Sequence, residues 1–190
     1  MTSPLILASA SPRRRDLLQN LGLTFDISPA DIDETPLQGE TPEALVNRLS
    51  TQKAAAVAKQ NSNALIIAAD TVVTLDGDVL GKPVDKDENR AFIERLSGRT
   101  HRVYTGHAVQ RGGEVAACVI STEVTFRDLS ERETDWYVST SEGMDKAGGY
   151  AIQGYGAALV SEIHGCYFNV VGLSVANSLE LTKRLGVELI

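Results

Sequence analysis

A chain of 190 residues that is 43% apolar has the length of one domain and enough hydrophobic material to fill a core, which excludes a disordered protein. Its 18 basic and 25 acidic residues leave a formal charge of -7, so a broad nucleic-acid-binding field is excluded while a local basic pocket for a small phosphate ligand is not. Two cysteines are too few for a disulfide framework, and no apolar run approaches the ~20 residues that cross a bilayer. The arginines near the N-terminus follow the apolar stretch Leu5-Ile6-Leu7-Ala8, whereas a signal peptide carries them first. A cytoplasmic protein is expected, with neither membrane nor nucleic acid as partner.

In chain order, residues 5–8 read as a short strand. Ser11 is a good N-cap and Pro12 suits the first helical position, with Leu17, Leu18 and Leu21 following before Gly22 stops the helix. Residues 24–27 read as a second strand, and the acidic, proline-broken residues 28–39 as a loop. Thr41-Pro42-Glu43 repeats the cap-proline-acid pattern and opens a long helix to about Gln60. Residues 64–75 form an apolar strand running into Asp76-Gly77, a hairpin signal from which Val79-Leu80 returns. A helix over 87–96 and strands over 102–109 and 114–126 come next. Ser130 to Glu133 has capping-box form and starts a helix through Tyr137. Residues 143–156 are glycine-rich, 157–163 read as a strand and 174–185 as an amphipathic helix. The alternation predicts an α/β fold with a mixed sheet, whose strand order is not legible.

Chemistry concentrates in five places. Ser9-Ala10-Ser11-Pro12-Arg13-Arg14-Arg15 runs a strand end into a capped helix, where unpaired N–H groups and arginine forks suit phosphate oxygens. Three cations at that end oppose the helix dipole unless an anion offsets them. Asp70 shares a strand face with Ile66, Ala68 and Val72, a costly place for a carboxylate unless it is paired, binds metal or lines a cleft. Lys53 and Lys82 decide nothing alone, and Gly81-Lys82 is not a P-loop. Glu34, in Asp31-Ile32-Asp33-Glu34, matters only if its loop faces Asp70, where carboxylates together would suit Mg²⁺ or Mn²⁺. Gly148-Gly149-Tyr150-Ala151-Ile152-Gln153 allows close backbone approach to a ligand and offers an amide reader. His101, His107 and His164 show no metal spacing.

Taken together and in order, these residues resemble the Maf family of nucleoside triphosphate pyrophosphatases. Ser9-Ala10-Ser11-Pro12-Arg13-Arg14 is similar to the family's Ser-x-Ser-x-Arg-Arg signature, and Glu34, Lys53, Asp70 and Lys82 fall where the family keeps Glu, Lys, Asp and Lys. The resemblance implies one domain over residues 1–190: an elongated mixed sheet flanked by helices, in two lobes about a central cleft, similar to inosine triphosphate pyrophosphatases. It implies a cytoplasmic homodimer that cuts a nucleoside triphosphate between the α- and β-phosphates with Mg²⁺ or Mn²⁺. Tyr150-Ala151-Ile152-Gln153 looks like the branch acting on dTTP and UTP. On this basis Asp70 is catalytic, as base or metal ligand, and Glu34 is a second metal ligand. Ser9, Ser11, Arg13, Arg14, Lys53, Thr71, Lys82 and Gln153 bind substrate. The alternatives are the same chemistry on 7-methyl-GTP or another modified nucleotide, or a nucleotide-binding regulator of septum formation.

Overall fold

Strand β1 (Leu5–Leu7) is three apolar residues long and buried throughout, as befits a strand flanked on both sides. It pairs in parallel with β2 (Asp26–Ile27) and with β3 (Leu65–Leu75), with Leu5, Ile6 and Leu7 opposite Leu65, Ile66 and Ile67. Of the eleven residues of β3 only Thr71 is not buried, which explains its unbroken apolar reading. In this computed structural model, which describes residues 3–190, the seven-stranded sheet runs β2-β1-β3-β5-β6-β7. Here β5 is Thr100–Arg111, β6 is Glu114–Phe126 and β7 is Val160–His164, while β4 (Asp78–Leu80) pairs antiparallel with β3. The mixed α/β fold is thus as expected from the sequence.

The chain gathers into two compact units. The first takes the chain up to Asp70, with Thr105–Ile120 and Gly172–Ile190. Its helices are α1 (Pro12–Gln19), α2 (Pro42–Ala58) and α6 (Val175–Arg184). Thr41 caps α2, its hydroxyl accepting the Ala44 N–H at 3.2 Å. The inner face of α2 joins a core of small residues, in which Ala54 and Val57 pack with Ile6, Ala8, Ile66, Ala68 and Ala108. Small side chains let the helix ride close to the sheet. At Gly106 in β5 a Cβ would stand 2.1 Å from the Val46 carbonyl oxygen.

The second unit takes Thr71–Tyr104 and Ser121–Val171. Asp76 and Gly77 turn β3 into β4 with positive φ (53° and 90°) at both positions, the backbone a tight hairpin requires. Helix α3 (Lys86–Leu96) follows, and α4 (Glu131–Ser139) carries the capping box expected at Ser130 and Glu133. His101, Phe126 and Tyr150 meet edge to face with ring centroids 4.8–5.3 Å apart. Three expectations change. The second strand shrinks to Asp26–Ile27. β7 starts at Val160, because Gly154–Ala158 forms a 3-10 turn closed by the Leu159 N–H on the Gly156 carbonyl. A short helix, α5 (Tyr167–Val171), stands between Gly165 and Gly172, too brief to leave a periodic signal.

Candidate active site

Asp70 is the last residue that β3 gives to the first unit, and it is 7% exposed. Its strand position called for a partner, a metal or a cleft, and α2 supplies a partner: Lys53 Nζ donates to Asp70 Oδ1 at 2.6 Å. The same Nζ stands 2.7 Å from Glu34 Oε1, so the acidic loop does face Asp70. Two carboxylates therefore converge on one ammonium. Burial pushes the Asp70 carboxyl above its ordinary value, against the opposing pull of Lys53 and then Arg14.

The serine–arginine segment divides its labour. Ser11 caps α1, its hydroxyl facing the Arg14 N–H at 3.5 Å, and no acid stands in the first turn. Ser9 is buried, and its Oγ accepts the Ser11 N–H at 3.2 Å and Arg14 Nη1 at 3.1 Å. Arg14 also donates from Nε to the Gly172 carbonyl and from Nη1 to the Ala69 carbonyl, each at 2.8 Å. Its fork is thus fastened to the backbone on either side of the site, and its charge is what acts on Asp70 and Glu34. Burial lowers its pKa, and Asp70 raises it in opposition. Arg13, half-buried, lies in the same first turn, while Arg15 turns away to Asp16 at 3.0 Å.

The remaining expected residues belong to the second unit. Thr71, half-buried, follows Asp70 in β3. Lys82 is exposed just after β4, and Gln153 is exposed between a 3-10 turn at Ala147–Gly149 and the one at Gly154–Ala158. Gly81, beside Lys82, accepts the Gly148 N–H at 3.0 Å, so the lysine's neighbour is tied to the glycine-rich turn. Gly148 and Gly149 both have φ of 72° there.

Sequence reasoning passed over two supporting groups. His107, 1% exposed, accepts the Ser174 N–H on Nε2 at 2.8 Å, next to the segment whose Gly172 carbonyl holds Arg14. Glu142 binds the turn after Gln153. Their partners lie 67 and 13–14 residues away, and no local pattern announces either.

The donor set fits a hard divalent cation. Glu34 and Asp70 each bring a carboxylate oxygen to the Lys53 ammonium, and Mg²⁺ is usually held by one or two carboxylates with substrate phosphates and water completing the shell. No cluster of three or more His, Cys, Asp or Glu suited to a metal occurs among the described residues, so an all-protein cage is not what the site offers.

A family model described as Maf-like protein matches residues 4–185. A dTTP/UTP pyrophosphatase of Myxococcus xanthus (strain DK1622) is 51% identical over 185 residues, covering 97% of this chain and 94% of that one. Proteins of the same name from Pelotomaculum thermopropionicum and Clostridioides difficile (strain 630) are 50% and 47% identical, over 96% and 95% of this chain and 96% and 94% of their own. A much slighter likeness, TM-score 0.43 and 15% identity over 66% of this chain and 75% of the other, links it to a nucleoside-triphosphatase / dITP/XTP pyrophosphatase of Mycobacterium abscessus. With nearly every residue inside the family model and about half identical to those relatives, the chain belongs to the Maf-like protein family.

Proposed function

We propose that the protein hydrolyses dTTP and UTP between the α- and β-phosphates, releasing the nucleoside monophosphate and pyrophosphate. The observation that carries this reading is the buried Asp70–Lys53 pair joined by exposed Glu34 beside a cationic helix N-terminus, in a chain about half identical to proteins named for that activity.

Asp70 takes a proton from the attacking water. Burial makes it a stronger base than an exposed aspartate, and Lys53 holds its carboxylate in one orientation. The water oxygen bonds to the α-phosphorus, the bridging P–O bond breaks, and pyrophosphate leaves with its electron pair. Arg13, Lys53 and Lys82, the N–H groups that open α1, and the Ser9 and Ser11 hydroxyls would bind the triphosphate and neutralise the departing charge. Arg14 adds charge from its fixed position. Glu34 and Asp70 would hold Mg²⁺ or Mn²⁺, which when bound supplies Lewis-acid polarisation of the phosphates. Thr71 would help to position the substrate. Gln153 would read the base: thymine and uracil show two carbonyls and one N–H, an edge that an amide with donors and an acceptor can match.

One working domain over residues 1–190, a homodimer and a cytoplasmic location belong to the same proposal. No helix among the described residues is long and apolar enough to cross a membrane. The test is a panel of pyrimidine, purine and 7-methylated triphosphates assayed with Mg²⁺ or Mn²⁺ for pyrophosphate. Preference for dTTP and UTP with stoichiometric pyrophosphate is expected. Orthophosphate as the first product overturns the bond assignment, an equal kcat/KM for GTP or a preference for 7-methyl-GTP overturns the base assignment, and binding without turnover overturns the enzyme.

A further inference from the structure

Glu142 precedes the glycine-rich segment and none of the roles above uses it. Its own backbone is fixed. Ser141 before it is left-handed (φ 59°), the Glu142 N–H donates to Thr140 Oγ1 at 3.2 Å, and Gly143 after it sits where a Cβ would stand 1.8 Å from the Gly149 carbonyl oxygen. From this anchored position the two carboxylate oxygens accept two successive backbone N–H groups, Tyr155 on Oε1 at 2.9 Å and Gly156 on Oε2 at 2.8 Å. The approach is close enough that a Cβ on Gly154 would lie 2.1 Å from Oε1. The charge of the carboxylate also acts on the hydroxyl of Tyr137, which accepts the Ala151 N–H at 3.1 Å. Tyr137 is fully buried in α4. Glu142 therefore holds one end of Ala151–Gly156 and Tyr137 the other, and exposed Gln153 stands in the middle.

We propose that Glu142 is a positioning residue for recognition of the pyrimidine base, fixing the Ala151–Gly156 segment so that the Gln153 amide meets the base edge in one register. The inference rests on the reading that Gln153 contacts the base. Charge-assisted bonds to two consecutive N–H groups define a turn more tightly than neutral ones. A base reader on a loose turn loses selectivity because its donors and acceptor no longer meet the edge together.

The test is a double-mutant cycle of Glu142→Gln and Gln153→Ala, with kcat/KM measured for dTTP and GTP. Glu142→Gln keeps the shape but replaces one acceptor oxygen by an NH₂ that cannot accept. We expect a fall of about tenfold in kcat/KM for dTTP, the size of one charge-assisted hydrogen bond, carried mainly by KM. GTP should change less than about twofold, and Glu142→Gln should add less than about twofold on the Gln153→Ala background, as expected if both act through one contact. Glu142→Asp, which keeps the charge, should restore part of the loss, and it replaces Glu142→Gln in the cycle if the latter fails to fold. Equal losses on dTTP and GTP, or full additivity with Gln153→Ala, overturn the proposal while leaving the reading of Gln153 intact. A Gln153→Ala enzyme that retains wild-type preference overturns the reading on which it rests.

Discussion

Asp70 is pulled in two directions: burial works to protonate it, and Lys53 and Arg14 work to keep it ionised, with burial the larger influence. A folded-state pKa above the ordinary 3.8 means that the native protein binds this proton more tightly than the unfolded chain. The cost to stability is absent below 3.8 and present in full once pH exceeds the folded value. Asp70→Asn removes that cost, and Lys53 keeps Glu34 as a partner. We therefore predict a loss of roughly 10²-fold or more in kcat, the size of a general-base contribution, with no fall in Tm. Wild-type turnover by the variant would remove Asp70 from the chemistry, and a lower Tm would make the pair chiefly structural. A second expectation follows from the same shift. The acid limb of kcat/KM should lie above pH 3.8 and disappear in the residual activity of Asp70→Asn. A limb at or below 3.8 contradicts a base raised by burial.

Among the elements, α2 matters most, because it carries Lys53 to Asp70 and must lie close to β5 to do so. The close approach at Gly106 makes a clean test. A Cβ there would stand 2.1 Å from the Val46 carbonyl and 2.9 Å from Ser50 Oγ, so the helix backbone itself must shift. We predict that Gly106→Ala destabilises by about 1–3 kcal/mol, as overpacking does, and lowers kcat as Lys53 moves with the helix. Urea melts and turnover check both, and unchanged stability with unchanged kcat would mean that the helix yields freely. Sequence legibility follows the same division between local and distant causes. The caps at Ser11, Thr41 and Ser130, the Asp76-Gly77 hairpin and the apolar run of β3 rest on neighbouring residues, and each could be read. Asp70's need for a partner, a metal or a cleft was legible from its strand position, but the identity of the partner was not, since Lys53 looks like any helix lysine. The fastening of Arg14 to Gly172, 158 residues away, and the Glu142 clamp are products of tertiary folding and leave no spacing to find. α5 was missed because five residues show no period.

Across the whole molecule, each unit buries one neutral histidine, which gives folding a pH dependence separate from catalysis. His107 lies in the first unit at 1% exposure and His101 in the second at 2%. Burial lowers both pKa values to about 4, assisted at His107 by the Arg14 charge. Neither can take up a proton without loss: His107 Nε2 must stay unprotonated to accept the Ser174 N–H, and His101 sits between Phe126 and Tyr150. In the unfolded chain both titrate near the ordinary 6.5. Because the folded values are depressed, the stability they confer is complete above 6.5 and is lost as pH falls toward about 4. Between pH 7 and 5 we predict a loss of roughly 1–2 kcal/mol per histidine, before most carboxylates begin to titrate. Urea unfolding at the two pH values measures the sum. His101→Gln and His107→Gln, whose amides do not titrate in this range, should each flatten about half of the slope whatever they do to absolute stability. A wild-type stability that stays level from pH 7 to 5, or a slope that survives both substitutions, would show that these rings are not the groups that couple folding to protons.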